Sequence, residues 1–325
     1  FDLDAFKNGL GLNPDIISID GGSTDSGPFS LGTGTSKYSR ASIKSELKIL
    51  MIGRYKLNIP LVIGSCGTCG TNNMVDWMEE IIIETAKELD QKLSVAKLYC
   101  ELSKTTLLKK FENNLIYELD PPITLNKNKI HQMTHIVALA GSEQIQKAIK
   151  KKADIILAGR TTDTAIISAL PLMNGVDPGS CWHGAKVAEC GALCSTNPTS
   201  GVVMIEFNKK SFVIFPTSNK AKCTPYSVSS HMLYENFDPF ILHEPGGYID
   251  VKKANYEALN YKKVRVKGAK WIKDKNYFVK LEAAHISGYQ TSSLILIRDE
   301  RYVKGIEKWA KKLFSFLEKE IAKRM

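Results

Sequence analysis

Four times in its first half the chain sends a short apolar run into a polar loop, and in three of these a helical stretch follows. "PDIISIDGGSTDSGPFSLG" has the run Ile16–Ile19, then Asp20 and a loop rich in Gly, Ser and Thr. "IPLVIGSCGTCGTNNMVDWMEEIIIETAKEL" runs from strand through a glycine-rich loop to a helix, with Asn72 or Asn73 as its expected cap. "LSVAKLYCE" reads as a strand leading to a polar helix near Lys104–Glu112, and "ADIILAGRTTDTAIISAL" repeats strand, loop, helix. Strands alternating with helices at this spacing predict βαβ units and a mainly parallel, Rossmann-like sheet. In such sheets the loops after the carboxyl ends of the strands share one edge, where ligands bind. The loops Asp20–Gly34, Gly64–Asn73 and Gly159–Asp163 are therefore expected to meet.

Beyond about Gly201 the texture changes. "GVVMIEF", "SFVIFPTS", "KKVRVKGAKWI", "NYFVKLEAA" and "TSSLILIRD" are short, β-branched, alternating runs between polar turns, which predicts antiparallel pairing. A helix around Tyr226–Glu235 interrupts them. A terminal amphipathic helix, Glu300–Arg324, carries Ile306, Trp309, Leu313, Phe316, Leu317 and Ile321 on one stripe. The fold class expected is α/β, with a smaller β-rich second part and a C-terminal helix. The domains expected are 1–199 and 200–325, with Cys181–Thr199 as the join.

At 325 residues, 43% hydrophobic and 24% charged, the chain has an ordinary globular composition and length for a large core. No apolar run approaches the roughly 18 residues of a membrane span. "FDLDAFKNGL" lacks the layout of a signal peptide, so a cytoplasmic protein is expected, with no membrane partner. Seven cysteines, an odd number without an export signal, predict reduced thiols. The net charge of +10 comes from lysines interleaved with acids at helical spacing, and no nucleic-acid motif accompanies them. A field that draws in small anions is the better reading, with no nucleic-acid partner.

Three loops carry the chemistry. In "GSCGTCG", glycines allow successive N–H groups to face one concavity, and the following helix adds its positive end. Gly64, Ser65, Cys66, Gly67, Thr68, Cys69 and Gly70 thus form an expected cradle for a carboxylate, phosphate or enolate oxygen. Cys66 and Cys69 could instead hold zinc, but a structural site needs four ligands and no second pair follows. Their pairing lacks the setting of a thioredoxin-like couple. No metal or cofactor is expected, zinc at Cys66/Cys69 being the minority alternative. In "DGGSTDSGP", Asp20 and Asp25 flank Gly21, Gly22, Ser23 and Thr24, a pattern suited to acid–base work or to a capped turn. In "GRTTD", Arg160 at a strand end would hold an anion with Thr161 and Thr162, or pair with Asp163. In "WHGAKVAECGA", His183, Lys186 and Cys190 fall on one face of a predicted helix, and His183 is a secondary acid–base candidate beside Asp20, Asp25 and Asp163. Cys190 and Cys194 have the spacing of one helix face, "CTPYSVSSHMLYENFDPF" groups Ser227, Ser229, His231, Tyr234 and Glu235 without triad spacing, and "LEAAHISGYQ" offers Glu282, His285 and Tyr289.

In this order "DGGSTDSGPFSLG", "IPLVIGSCGTCG", "ADIILAGRTTDTAIISALPLMNGVDPGSCWHGAKVAECGA", "CTPYSVSSHMLYENFDPF", "EPGGYIDVKKANYEAL" and "KVRVKGAKW" resemble the acyclic terpene utilisation A family across nearly the whole chain. Relatives commonly begin earlier with a glycine-rich segment, and many carry Ala or Gly at the two loop cysteines. The resemblance implies small-molecule catabolism in which acidic or CoA-linked substrates are common. The expectation is an enzyme catalysing a lyase, hydratase or isomerase step on a small anionic or CoA-linked substrate, without a redox cofactor, in a homo-oligomer or with a partner subunit. The alternatives are a non-catalytic ligand-binding subunit and a zinc-dependent hydrolase.

Overall fold

The four apolar runs of the first half become the strands of one parallel sheet. They are β1 (Ile17–Asp20), β2 (Leu61–Gly64), β3 (Val95–Leu98) and, after the separate strand β4 (Met133–Ala138), β5 (Ile155–Ala158). The order is β1-β2-β5-β3, with β2 and β5 in the middle and buried at every residue. Such strands read as unbroken apolar runs because both faces are covered. Side-chain alternation assigns the faces. Leu61, Ile63, Ile155 and Leu157 pack against the helices Arg40–Leu57 and Asn72–Glu88. Val62 and Ile156 pack against Ser142–Lys150 and Ala165–Met173. The result is a three-layer α/β sandwich, as the Rossmann-like reading expects. The computed structural model describes residues 1–22, 26–234, 236–288 and 290–324.

The second half supplies antiparallel strands: β6 (Val203–Asn208), β7 (Ser211–Pro216), β8 (Ile241–Glu244), β9 (Gly247–Asp250), β10 (Asn255–Ala258), β11 (Val264–Lys267), β12 (Lys270–Lys273) and β13 (Leu281–His285). They form sheets of order β10-β11-β7-β6 and β12-β9-β8, while β13 pairs antiparallel with β4. Their core encloses the helix Pro178–Ala188, which is buried from Gly179 to Ala188. Trp182 stacks on Trp271 with ring centroids 5.3 Å apart.

Several sequence expectations change here. The chain forms two compact units, Phe1–Ile286 and Ser287–Met325, and the expected join at Cys181–Thr199 lies inside the first. The first part of that join, 181–188, belongs to the helix around which the antiparallel sheets are built. The helix closes at Ala188, which places Cys190 on the following turn and off the helix face of His183. Thr71, not Asn72 or Asn73, precedes the first residue of Asn72–Glu88. The helix expected at Tyr226–Glu235 is Pro225–Ser230 followed by a 3-10 turn, His231–Leu233; Glu235 lies outside the described residues. "TSSLILIRD" forms no strand, and Leu294 and Leu296 are exposed; an alternating run needs an edge to pair with. In the second unit the terminal helix is divided at Gly305 into Glu300–Lys304 and Ile306–Arg324, and neither part has a buried residue. Among the described residues, no helix is long and apolar enough to cross a membrane.

Candidate functional site

The three loops after β1, β2 and β5 meet, as the parallel sheet requires. Gly21 N–H donates to Gly64 O at 2.7 Å, Thr68 N–H to Gly21 O at 3.3 Å, Ser65 N–H to Gly159 O at 3.0 Å and Arg160 N–H to Gly70 O at 3.1 Å. Gly70, at φ +64°, is needed twice over: its backbone is left-handed, and an added Cβ would lie 2.3 Å from the Arg160 nitrogen. Gly22 lies equally close over Thr68.

This interlocking differs from the expected anion cradle. The loop is buried from Gly64 to Thr71. Cys66 N–H donates to Ala158 O and Gly70 N–H to Cys66 O, both at 3.0 Å, so four amides of the loop serve the chain's own carbonyls. The positive end of the following helix is also covered, because Asn72 N–H donates to Glu101 Oε2 at 3.0 Å. The cysteines point to different cores, Cys66 toward the sheet and Cys69 toward Leu31, Met74 and Val137. Burial pushes the Cys66 thiol up, opposite to what a thiolate ligand or nucleophile needs. The geometry gives no support to zinc at this pair.

Arg160, 6% exposed, has its fork filled. Nε and Nη2 donate to the two carboxylate oxygens of Glu282, each at 2.9 Å, and Nη1 donates to Ser65 Oγ at 2.8 Å. Asp163, the partner nearest in sequence, lies at 3.8 Å. The bidentate face that would hold a substrate anion is thus engaged by a residue of β13. Thr161 is buried beside this pair, with no hydrogen-bond partner for its hydroxyl among the described residues.

Asp20 ends β1, its Oδ1 accepting from Gly22 N–H at 3.0 Å, and it reaches the wall of a cavity of ≈ 750 Å³. The walls are mainly apolar, from Ile17, Ile19, Ile166, Leu170, Ile205 and Phe207, and Glu189 and Cys190 join Asp20 among the polar groups. Beside Glu189 a cluster of charged side chains gathers. Lys186 and Glu189, with side chains 9% and 4% exposed, form an ion pair across one helical turn. Burial pushes the Glu189 carboxyl up to about 8; Lys186 opposes this, and the charges of Asp163 and Glu244 add to it. Burial also raises the Glu244 carboxyl, although Thr164 Oγ1 donates to its Oε2 at 2.7 Å and Thr162 bonds to it as well. His231, 4% exposed, lies with its ring within reach of Glu189 and Cys190.

His183 belongs elsewhere. It is fully buried in the antiparallel core, edge-on to Phe212 and Tyr256, with Nε2 3.1 Å from the Tyr256 hydroxyl. Burial lowers its pKa to about 3, so it stays neutral. That is a core histidine, and the acid–base reading of this residue finds no support in its surroundings. Ser23, Thr24, Asp25 and Tyr289 lie outside the described residues. Sequence reasoning missed Thr164 and Glu244, and it noted Lys186 and Cys190 in one segment and His231 in another without joining them.

A three-layer α/β sandwich bearing an antiparallel half, with a cavity reaching the sheet edge, is the class of protein defined by these elements. The chain belongs to the acyclic terpene utilisation family: the model of "Acyclic terpene utilisation family protein AtuA" matches residues 37–174 and 185–325. Neither a search of curated proteins nor one of solved structures gives a significant match.

Proposed function

We propose that this protein is an enzyme that moves protons on a small acidic or CoA-linked substrate, in a lyase, hydratase or isomerase step that needs no redox cofactor. The observation that carries this reading is the apolar-walled cavity of ≈ 750 Å³ that meets Asp20 at its wall and adjoins a cluster of carboxyls in unlike surroundings. Cavities of this kind, mostly apolar with a few convergent polar groups, are the usual form of a small-molecule site. Carboxyls set in unlike environments divide the roles of acid and base between them. Glu244, kept toward its protonated form by burial and steadied by Thr164, is the acid. Asp163, 3.8 Å from the Arg160 guanidinium, and Asp20 are the bases. An apolar wall suits a branched acyl chain, whose reacting carbon next to a carboxylate or thioester carbonyl would lie by the acids. Removing a proton there needs a positioned base and compensation of the enolate charge, which Lys186 supplies. Arg160 acts in this scheme by positioning Ser65 and Asp163, not by gripping the substrate.

The test is incubation of the protein in deuterium oxide with a panel of branched acyl-CoA thioesters and dicarboxylic acids, followed by mass spectrometry of each compound. Enzyme-dependent deuterium uptake that disappears in Glu244→Gln and Asp163→Asn is the expected result. Uptake nowhere in the panel, with binding retained, would favour the ligand-binding subunit instead. The reading also keeps the chain as one subunit of an assembly, supported by the exposed Phe316, Leu317 and Ile321 on the terminal helix. Sedimentation velocity at several concentrations checks this.

A further inference from the structure

The geometry points to a zinc-type divalent metal site formed by Glu189, Cys190 and His231, open to the cavity at its fourth position. One ligand atom from each of the three residues lies within 4.8 Å of the other two. In a tetrahedral zinc site, with bonds of roughly 2.0–2.3 Å, ligand atoms stand about 3.3–3.8 Å apart. Side-chain rotations of an ångström or less would therefore close the set. A thiol, an imidazole and a carboxylate together select a borderline metal such as zinc over magnesium or calcium, which favour oxygen alone. Three protein ligands with one open position is the arrangement of catalytic, not structural, zinc.

A second observation comes from His231 itself. Its ring is 4% exposed, and Nε2 has no hydrogen-bond partner among the described residues. The backbone carbonyl of Lys186 accepts a hydrogen bond from the same ring, which leaves Nδ1 as the donor. An imidazole pinned through Nδ1–H to a carbonyl presents its Nε2 lone pair outward, as metal-binding histidines do. A buried nitrogen left without a partner is costly, and a metal bond would remove that cost. The supports are rigid. Glu189 and Cys190 stand where the buried helix Pro178–Ala188 ends, and His231 follows the helix Pro225–Ser230, which the Thr224/Ser227 capping box holds. Glu189 and Cys190 line the cavity, so a path for metal and substrate exists. Lys186 bonds to Glu189 Oε1, so the carboxylate offers its second oxygen to the proposed metal. Formation of the metal–sulfur bond releases the thiol proton of Cys190 to solvent, with no change of oxidation state.

This site lies beside the groups of the proton-transfer reading and does not depend on it, and its test uses no turnover. The full chain is stripped with chelator, dialysed and titrated with Zn²⁺ alone, then with Co²⁺ as a spectroscopic stand-in. One metal per chain is expected, with a thiolate-to-cobalt charge-transfer band in the near ultraviolet. Cys190→Ser should abolish that band, and His231→Ala should weaken binding by more than roughly 100-fold, the most that loss of a mere outer-shell partner costs. Cys100→Ser should change neither. Thermal melts establish that each variant is folded; if His231→Ala is not, Cys190→Ser decides alone. Failure to bind stoichiometric metal, or a band that survives Cys190→Ser, overturns the assignment. Deuterium uptake by a protein that binds no metal would sink this site and leave the proton-transfer reading standing.

Discussion

The Gly64–Thr71 loop and the Lys186–Cys190 turn both carry polar groups out of water, yet they spend them in opposite ways. In the loop the amides of Ser65, Cys66, Thr68 and Gly70 all go to backbone carbonyls, and Ser65 Oγ goes to Arg160. At the turn, several carboxyls crowd round an ammonium, and the nearby His231 Nε2 has no hydrogen-bond partner among the described residues. A region that spends most of its hydrogen bonds on the chain itself is a joint of the fold; one with charge and capacity left over can still do chemistry. The two buried histidines differ in their neighbours. Each has one ring nitrogen without a hydrogen-bond partner among the described residues, but His183 is enclosed by Phe212 and Tyr256, while His231, stacked on Tyr234, has a carboxylate and a thiol within reach.

The contrast breaks first at Gly70 if it is wrong. Gly70→Ala should cost more than about 4 kcal/mol in urea unfolding, from left-handed backbone strain and the clash with Arg160. A stable Gly70→Ala protein would show that the loop is not a joint. Glu282→Gln should cost about 3 kcal/mol by taking the bidentate carboxylate from the buried guanidinium and leaving Asp163, at 3.8 Å, as its nearest ion-pair partner. A loss below about 1 kcal/mol would mean that Arg160 has charge to offer a ligand after all.

His183 provides the next test, through pH. The unfolded imidazole takes a proton at the usual 6.5, but the folded one only at about 3. Below pH 6.5 the unfolded chain binds more protons, so this contribution is complete above that pH and shrinks as the pH falls. Between pH 6.5 and 5 the protein should lose about 2 kcal/mol from this group, a loss that His183→Gln should not show. An unchanged acid slope in the variant would remove His183 from the sealed core. The smallest stability effect belongs to Glu244→Gln. The amide still accepts from Thr164, so denaturation should move by under about 1 kcal/mol while proton exchange on substrate is lost. A large destabilisation would make Glu244 a structural residue.

The parallel sheet was legible because β2 and β5 are buried on both faces, which leaves an unbroken apolar run in the sequence. That the three loops meet followed from the sheet alone. What filled them did not. Arg160 has Asp163 three residues away, yet it pairs with Glu282, because the antiparallel pairing of β13 with β4 brings that carboxylate across from far along the chain. Glu244 closes β8 and opens the block "EPGGYIDVKKANYEAL", but nothing in that block marks it as an acid, and its role comes from Thr164 and Lys186, far away in the chain. Cys190 and His231 sit in different segments without ligand spacing, and only the packing of two short helices unites them. The run at "TSSLILIRD" shows the converse, a strand-like pattern with no strand.

The strand order has a consequence for synthesis. β3 sits at the sheet edge and, among the described residues, pairs with β5 alone, which is made much later in the chain. At about 5–20 residues per second the ribosome needs seconds to deliver Ile155–Ala158 after Val95–Leu98 has emerged. For that interval β3 has no partner in its sheet, and β2 has one edge open on which a neighbouring nascent chain could add. Those seconds are the interval in which this sheet's strand edges stand unpaired and open to association.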